Sequence, residues 1–156
     1  MRRLRAIAPL LLLLVSLLMV GCSSEPVAPP TYTPEKVAQL QQYLGPVLIA
    51  QERMPELAAA IDAEDWNEID SFIHGPLGGL RASTSYVTRS LLPEDQPAAK
   101  ELAKAFFSDL ERIDVAADNA TQRLARQEYA RALADLNAYI DLVPTESPVT
   151  AETAGA

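Results

Sequence analysis

Apolar residues recur through the middle of the chain at alternating steps of three and four positions, which is the spacing of one face of an α-helix. Four such stripes follow one another, and no stretch alternates apolar and polar residues over the length of a strand. The connections between the stripes are short, as in bundles of antiparallel neighbours. The pattern therefore predicts an all-α fold, an antiparallel up-down-up-down four-helix bundle that occupies residues 34–144.

The first stripe predicts a long helix that contains two internal prolines. Thr33 is a suitable N-cap, and Pro34 occupies the favoured first helical position. The apolar spacing keeps its phase across Pro46 and Pro55, so we expect these prolines to kink the helix rather than end it. The stripe consists of Val37, Leu40, Leu44, Val47, Met54, Ala58 and Ile61.

The second stripe passes through a Gly75-Pro76 step, and Asp62 is positioned to cap its start. A proline inside a helix removes a backbone hydrogen bond and costs about 3 kcal/mol, yet the apolar phase continues beyond Pro76. One kinked helix is expected, and the alternative is two shorter helices with Pro76 in the first turn of the second. The stripe consists of Trp66, Ile69, Ile73, Leu77, Leu80, Thr84, Val87 and Leu91.

The third and fourth stripes follow a proline-containing loop at residues 92–97. Asp118-Asn119 can end the third helix and cap the fourth, and Pro144 stops the fourth. The third stripe consists of Ala99, Leu102, Ala103, Phe106, Leu110, Ile113 and Ala117. The fourth consists of Ala125, Tyr129, Ala132, Leu133, Leu136, Ile140 and Val143.

The N-terminus has the pattern of a secretory signal that ends at a lone cysteine. Three arginines precede an apolar run at residues 6–20, and a run of about fifteen residues is shorter than the roughly 20 that a transmembrane helix needs. Cys22 directly follows Gly21, which resembles a bacterial lipobox, although Met19 stands where leucine is usual. We expect a signal peptide over residues 1–21 and lipidation of Cys22. The alternative is an ordinary signal peptide with an incidental cysteine.

Two segments without helical spacing flank the predicted bundle. Residues 22–33 contain three prolines, and they predict an extended, lipidated tether. Residues 145–156 are mostly small or polar, and they predict a disordered tail. We therefore expect one folded domain held at a short distance from the membrane.

The mature chain is strongly acidic. Without residues 1–21 it keeps ten Lys/Arg residues against 21 Asp/Glu, a formal charge of −11. This balance argues against nucleic acid as a partner and against electrostatic docking on anionic lipid headgroups. Membrane attachment is therefore expected through the lipid on Cys22.

The sequence offers little catalytic chemistry. A di-iron site needs paired Glu-x-x-His motifs, and His74 is the single histidine. Neither the Cys-x-x-Cys-His motif of c-type haem nor the Gly-x-Ser-x-Gly motif of hydrolases occurs. We predict no catalytic residue, no metal, no cofactor and no small-molecule substrate. The alternative is a periplasmic lipoprotein bundle that carries a metal or a haem, for which Met54 and His74 would be axial ligands.

One face of the second predicted helix lacks the charge that a solvated face normally carries. At 100° per residue, five residues point away from the Trp66 stripe and two lie on the border: Phe72, Gly75, Gly79, Ala82 and Tyr86, then His74 and Arg81. Glycine weakens a helix interior by about 1 kcal/mol relative to alanine, so the glycine pair indicates close approach by another backbone. We predict a partner-docking surface here. The alternatives are a poorly optimised helix and a Phe72 covered by the N-terminal tether.

Several blocks of the sequence resemble the extrinsic Q subunit of photosystem II. The most specific block is residues 72–81, with the sequence FIHGPLGGLR. The others are Trp66, residues 91–93, residues 109–117, Tyr129 and residues 141–144. The resemblance covers about residues 34–144, which is the predicted bundle.

The resemblance implies a four-helix bundle on the lumenal face of the thylakoid membrane. Members of this family are not enzymes. They bind the photosystem II core and other extrinsic lumenal subunits beside the water-oxidising complex, and they support its calcium and chloride retention. Chloroplast members carry a transit peptide and no lipobox, so Cys22 makes this chain resemble the cyanobacterial lipoprotein form.

Overall fold

The computed structural model describes residues 30–146 of the chain. These residues form five α-helices and contain no strand, which confirms the all-α prediction for this part of the chain. The helices are α1 (Pro34–Ala63), α2 (Trp66–His74), α3 (Leu80–Ser90), α4 (Gln96–Asp118) and α5 (Gln122–Leu142). The predicted signal peptide, Cys22, and most of the predicted tether and tail lie outside the described residues.

The first helix begins and continues as the sequence predicts. Thr33 is the N-cap, and its side-chain oxygen accepts a hydrogen bond from the Lys36 N–H at 3.3 Å. The helix runs through Pro46 and Pro55 without ending, because tertiary packing of one continuous apolar face outweighs the missing backbone bonds. It ends where Glu64 adopts a left-handed conformation with φ of 56°.

The second stripe forms two helices, so the prediction of one kinked helix is wrong and the alternative of two shorter helices is confirmed. Residues 75–79 leave the helix between α2 and α3. Pro76 has no N–H to donate, and the Leu77 N–H reaches the Phe72 carbonyl, five residues back, at 3.3 Å. Pro76 therefore lies in this turn and not in the first turn of α3.

Close backbone contacts explain two glycines of this turn. A Cβ atom on Gly75 would lie 2.6 Å from the carbonyl oxygen of Ser71, and one on Gly78 would lie 2.5 Å from that of His74. Gly79 differs, because a Cβ atom built there meets nothing within 4 Å. The turn itself, rather than an approaching partner, accounts for Gly75 and Gly78.

Two predicted helix caps are wrong. Asp65 caps α2 in place of Asp62. Asp62 is still helical, because α1 continues to its C-terminal side, and its carboxylate pairs with Arg126 of α5 at 2.7 Å. The α4 helix ends at Asp118, as the sequence predicts for the third helix. The N-cap of α5 is Thr121, two residues beyond Asn119, so the predicted cap at Asp118-Asn119 is wrong.

The core lies among the five helices. The α4 and α5 helices pack against each other most extensively, α1 contacts α2, α3 and α5, and both α2 and α3 contact α4. Fully burying a large apolar side chain stabilises the fold by about 1.5–3 kcal/mol. The largest fully buried side chains include Tyr139, Phe72, Phe106, Leu40, Leu44 and Met54. Within residues 30–146, no helix is both long and apolar enough to cross a membrane.

The segment before α1 is held on the loop between α3 and α4. The Tyr32 hydroxyl donates a hydrogen bond to an Asp95 carboxylate oxygen and accepts one from the Leu92 N–H at 3.1 Å. Burial, followed by the bond to Asp95, raises the pKa of Tyr32 to about 12. The hydroxyl therefore stays protonated at neutral pH, and this contact fixes the point at which the predicted tether joins the helices.

Candidate docking surface

Most of the predicted docking residues are exposed, but one is buried. The exposed residues are His74, Gly75, Gly79, Arg81 and Tyr86. Tyr86 is 56% exposed. Phe72 is only 2% exposed. The prediction that Phe72 lies on the exposed face with the others is therefore wrong.

Phe72 is buried because α2 packs through a face that differs from the predicted stripe. The buried residues of α2 are Ile69 and Phe72, whereas Trp66 and Ile73 are only partly buried. The guanidinium carbon of Arg53 in α1 lies 5.3 Å from the centre of the Phe72 ring, within the range of a cation–π contact. Since the chain leaves the helix after α2, a rotation of 100° per residue does not carry over into α3.

Tyr86 lies on the surface where α3 meets α1. Its ring centre is 6.2 Å from that of Tyr43 in α1, with the two ring planes tilted by 38°. The guanidinium carbon of Arg89 lies 5.1 Å from the Tyr86 ring centre. Exposed tyrosine and arginine side chains are enriched in protein interfaces, so this is a suitable anchor for a partner.

His74 lies at the end of α2 beside two carboxylates. Its Nδ1 is 3.1 Å from the Asp70 carbonyl oxygen and 3.2 Å from Asp70 Oδ1. The bond to that carbonyl, followed by the charge of Asp114 in α4, raises the pKa of His74. Asp70, His74 and Asp114 each offer one ligand atom, and these atoms lie within 4.8 Å of one another. Among residues 30–146, this is the cluster that could hold a metal ion, with nitrogen and oxygen donors of the kind that Zn²⁺ accepts.

Met54 and His74 do not form the axial pair that the haem alternative requires. Met54 is fully buried in the core. The His74 side chain is 63% exposed, and its Nδ1 is engaged by Asp70. Axial ligands must face one haem from its two sides, and a sulfur enclosed in the core does not share a haem site with an imidazole in solvent.

Arg81 joins His74 at one small cavity. A cavity of about 300 Å³ is lined by both side chains and by residues of α4. Arg81 Nη2 lies 2.6 Å from Glu111 Oε1, and its guanidinium carbon lies 4.3 Å from the centre of the Phe107 ring. The structure therefore brings His74 and Arg81 together, with Tyr86 farther along α3.

A larger groove between α3 and α4 was not predicted from the sequence. Its volume is about 770 Å³, and Arg81, Arg89 and Lys100 line it together with hydroxyl and apolar side chains. Arg81 and Arg89 lie in the second predicted helix and Lys100 in the third, on opposite sides of a loop. Nothing in the spacing of either stripe places these charges together, because the groove arises from helix packing.

Two buried carboxylates between α4 and α5 were also missed. Asp109 and Glu128 are 4% and 3% exposed. Arg112 Nη1 lies 2.6 Å from Asp109 Oδ1 and 3.6 Å from Glu128 Oε2, and Arg131 Nη1 lies 3.2 Å from Glu128 Oε1. The spacing of three residues in Asp109/Arg112 and Glu128/Arg131 is the signal in the sequence that could have identified them.

Comparison with known proteins identifies the family. The chain matches the PsbQ family, described as oxygen evolving enhancer protein 3, over residues 2–144. It is 44% identical over 149 residues to CyanoQ of Synechocystis sp. (strain ATCC 27184 / PCC 6803 / Kazusa), an alignment that covers 94% of this chain and 100% of that protein. The family match includes all five helices and every candidate docking residue. The chain therefore belongs to the PsbQ family of extrinsic photosystem II subunits, which are not enzymes.

Proposed function

We propose that this protein is a lipid-anchored subunit on the lumenal face of the thylakoid membrane. There it binds the photosystem II core and other extrinsic lumenal subunits, stabilises the water-oxidising complex and supports its calcium and chloride retention. The observation that carries the proposal is the family match over residues 2–144, together with the similarity to CyanoQ. Cys22 supports the anchor, because it follows Gly21 at the end of the apolar run.

For the fold we propose an up-down-up-down bundle of four members, in which α2 and α3 together form the second member. The contacts of α1 with α2, α3 and α5, and of α4 with α5, support this arrangement. The connection between α4 and α5 is only residues 119–121, and short connections favour antiparallel neighbours.

The proposed contact with photosystem II is the exposed surface formed by His74, Gly75, Gly79, Arg81 and Tyr86, which we term the docking surface. Tyr86 offers an exposed aromatic ring, and the space beyond Gly79 is open. Aromatic anchors in close contact usually dominate binding energy. A tethered domain also needs only a modest interface, because the tether raises its effective concentration near the partner.

The test is co-purification of Gly79→Glu and Tyr86→Glu with photosystem II from detergent-solubilised membranes. Either change places a carboxylate on the docking surface, and we expect the bound fraction to fall about tenfold or more. Because a Cβ atom at Gly79 meets nothing within 4 Å and both Gly79 and Tyr86 are exposed, thermal unfolding should be nearly unchanged.

The control is Lys104→Glu on the exposed face of α4, which changes the net charge by more than either test variant and should still have less effect on binding. If the control abolishes co-purification while the two docking-surface variants bind normally, the proposed surface is wrong. If the wild-type protein does not accompany photosystem II at all, the proposed function is wrong.

A further inference from the structure

The groove between α3 and α4 collects positive charge on a strongly acidic protein. The mature chain has a formal charge of −11, yet Arg81, Arg89 and Lys100 line this groove against one carboxylate, that of Glu101. The groove therefore has the opposite sign of charge to the chain as a whole. Its volume of about 770 Å³ is in the range of ligand-binding sites.

Two of these cations are not neutralised by the protein itself. Within residues 30–146, five of the seven arginines lie at ion-pair distance from a carboxylate, and Arg123, which is outside the groove, does not; the five are Arg53, Arg81, Arg112, Arg126 and Arg131. Arg89 and Lys100 have no carboxylate within 4.0 Å among the same residues, although that part of the chain is rich in acidic side chains. The positive charge of the groove is therefore available to a partner.

The walls of the groove suit a polypeptide. Beside the cations they present the exposed hydroxyl of Ser85 and the exposed rings of Pro93 and Pro97. An extended chain can use both, since its backbone can bond the hydroxyl while an apolar side chain packs on the proline rings. An anionic membrane surface is disfavoured as the occupant, because a protein of charge −11 is repelled by it as a whole.

We infer that this groove binds an acidic polypeptide segment of a photosystem II subunit, with carboxylates of that segment paired to Arg89 and Lys100. The inference rests on the proposed function and extends the docking surface, because Arg81 belongs to both and Tyr86 packs on Arg89. Charge pairs at an open site act mainly on the association rate and on its salt dependence. The groove therefore speeds association with the partner, and contacts at the docking surface slow its dissociation.

The test compares two double variants of the full-length protein, made and purified with their native anchor. Arg89→Glu with Lys100→Glu reverses the groove, and Lys104→Glu with Arg123→Glu makes the same change in net charge at exposed positions outside it. Binding is measured to photosystem II membranes from cells lacking the protein, at low and at moderate salt. We expect the groove variant to associate about tenfold or more slowly at low salt and to lose most of its salt dependence, and the control to change by about twofold or less.

A photo-crosslinking residue at Ser85, an exposed position in the groove, should attach to a partner peptide rich in Asp and Glu. The inference is overturned if the groove variant associates like wild type, if both double variants slow equally, or if the crosslinked peptides carry no acidic residues. It is also overturned if phosphatidylglycerol vesicles bind wild type but not the groove variant while association with photosystem II is unchanged, since that identifies a lipid headgroup. If wild type itself fails to bind photosystem II membranes, the proposed function fails, and the inference fails with it.

Discussion

At the scale of single residues, the pair Asp109 and Glu128 is the least expected feature. Both carboxylates lie in the packed contact between α4 and α5, with side chains 5% and 4% exposed. Burial of two like charges is unfavourable unless cations pair with them. Arg112 and Arg131 provide that pairing at the margin of the core. Even so, burial, followed by the charge of Glu128, raises the pKa of Asp109.

Asp109→Asn should therefore change how stability depends on pH. The folded protein binds the Asp109 proton more tightly than the unfolded chain does, so protonation favours folding. In the wild type this contribution is fully present below the ordinary pKa of 3.8 and is lost as the pH rises through the raised pKa of the folded state. The asparagine variant has no carboxyl group to titrate at this position. Its free energy of unfolding should therefore rise relative to that of the wild type as the pH increases through the raised pKa of Asp109.

Urea unfolding at a series of pH values from about 3 to about 7 measures this difference. The control is Asp118→Asn, at the exposed end of the same helix. If the difference in unfolding free energy between wild type and Asp109→Asn stays constant over the series, then Asp109 does not titrate with a raised pKa.

At the scale of elements, the turn between α2 and α3 separates two glycines that look equivalent in sequence. Gly78→Ala would place a Cβ atom 2.5 Å from the His74 carbonyl oxygen, whereas Gly79→Ala meets nothing within 4 Å. A backbone oxygen cannot move aside cheaply, so we expect Gly78→Ala to lower the free energy of unfolding by about 1–3 kcal/mol. Gly79 has helical dihedral angles of −81° and −12°, so Gly79→Ala should be neutral or stabilising by up to about 1 kcal/mol.

Thermal and chemical unfolding of the two alanine variants checks this prediction. The two changes add the same methyl group to adjacent residues, so each serves as the control for the other. Equal effects on stability would contradict the backbone geometry of the turn.

The same turn shows which elements the sequence could predict. The first helix was predictable because its cap is local and its apolar stripe spans many turns, so the internal prolines were overridden by packing. The break after α2 was not predictable, because the apolar positions of α2 and α3 keep a common phase across residues 75–79. The spacing of apolar residues indicates which residues are buried in the core, but it does not indicate the backbone hydrogen bonds within a turn.

The candidate docking surface was predictable to the same extent. Exposure of Tyr86, Arg81 and Gly79 followed from their distance from the apolar stripe of α3. Burial of Phe72 did not follow, because the short α2 helix packs through Ile69 and Phe72, with Phe72 against Arg53, rather than through the predicted stripe. The cationic groove between α3 and α4 could not be predicted from the sequence, because its charged residues lie on two helices that only tertiary packing brings side by side.

At the scale of the whole molecule, the distribution of charge separates two kinds of attachment. If residues 1–21 are removed as the sequence predicts, the chain has a formal charge of −11 and is repelled by anionic lipid. Within residues 30–146, no helix is long and apolar enough to cross a bilayer. Arg89 and Lys100, which have no carboxylate within 4.0 Å in that part of the chain, line the α3–α4 groove, where they face a protein partner in our proposal. In our proposal, the lipid on Cys22 attaches the protein to the membrane and the helical domain recognises photosystem II.

The last prediction tests that assignment at Cys22. A diacylated and N-acylated cysteine would hold the protein on the membrane firmly, because each buried methylene contributes about 0.8 kcal/mol and several chains act together. We expect the wild-type protein to resist a high-salt wash and its N-terminal peptide to carry the mass of lipid on residue 22.

The Cys22→Ala variant should lack the lipid mass, but an uncut signal peptide can still retain this variant on the membrane. A second variant therefore replaces residues 1–21 with a cleavable signal that directs no lipidation and carries Cys22→Ser. That variant should be released by the wash while its helical content stays unchanged. Wild type that washes off equally well, or that carries no lipid on residue 22, would show that the anchor does not exist.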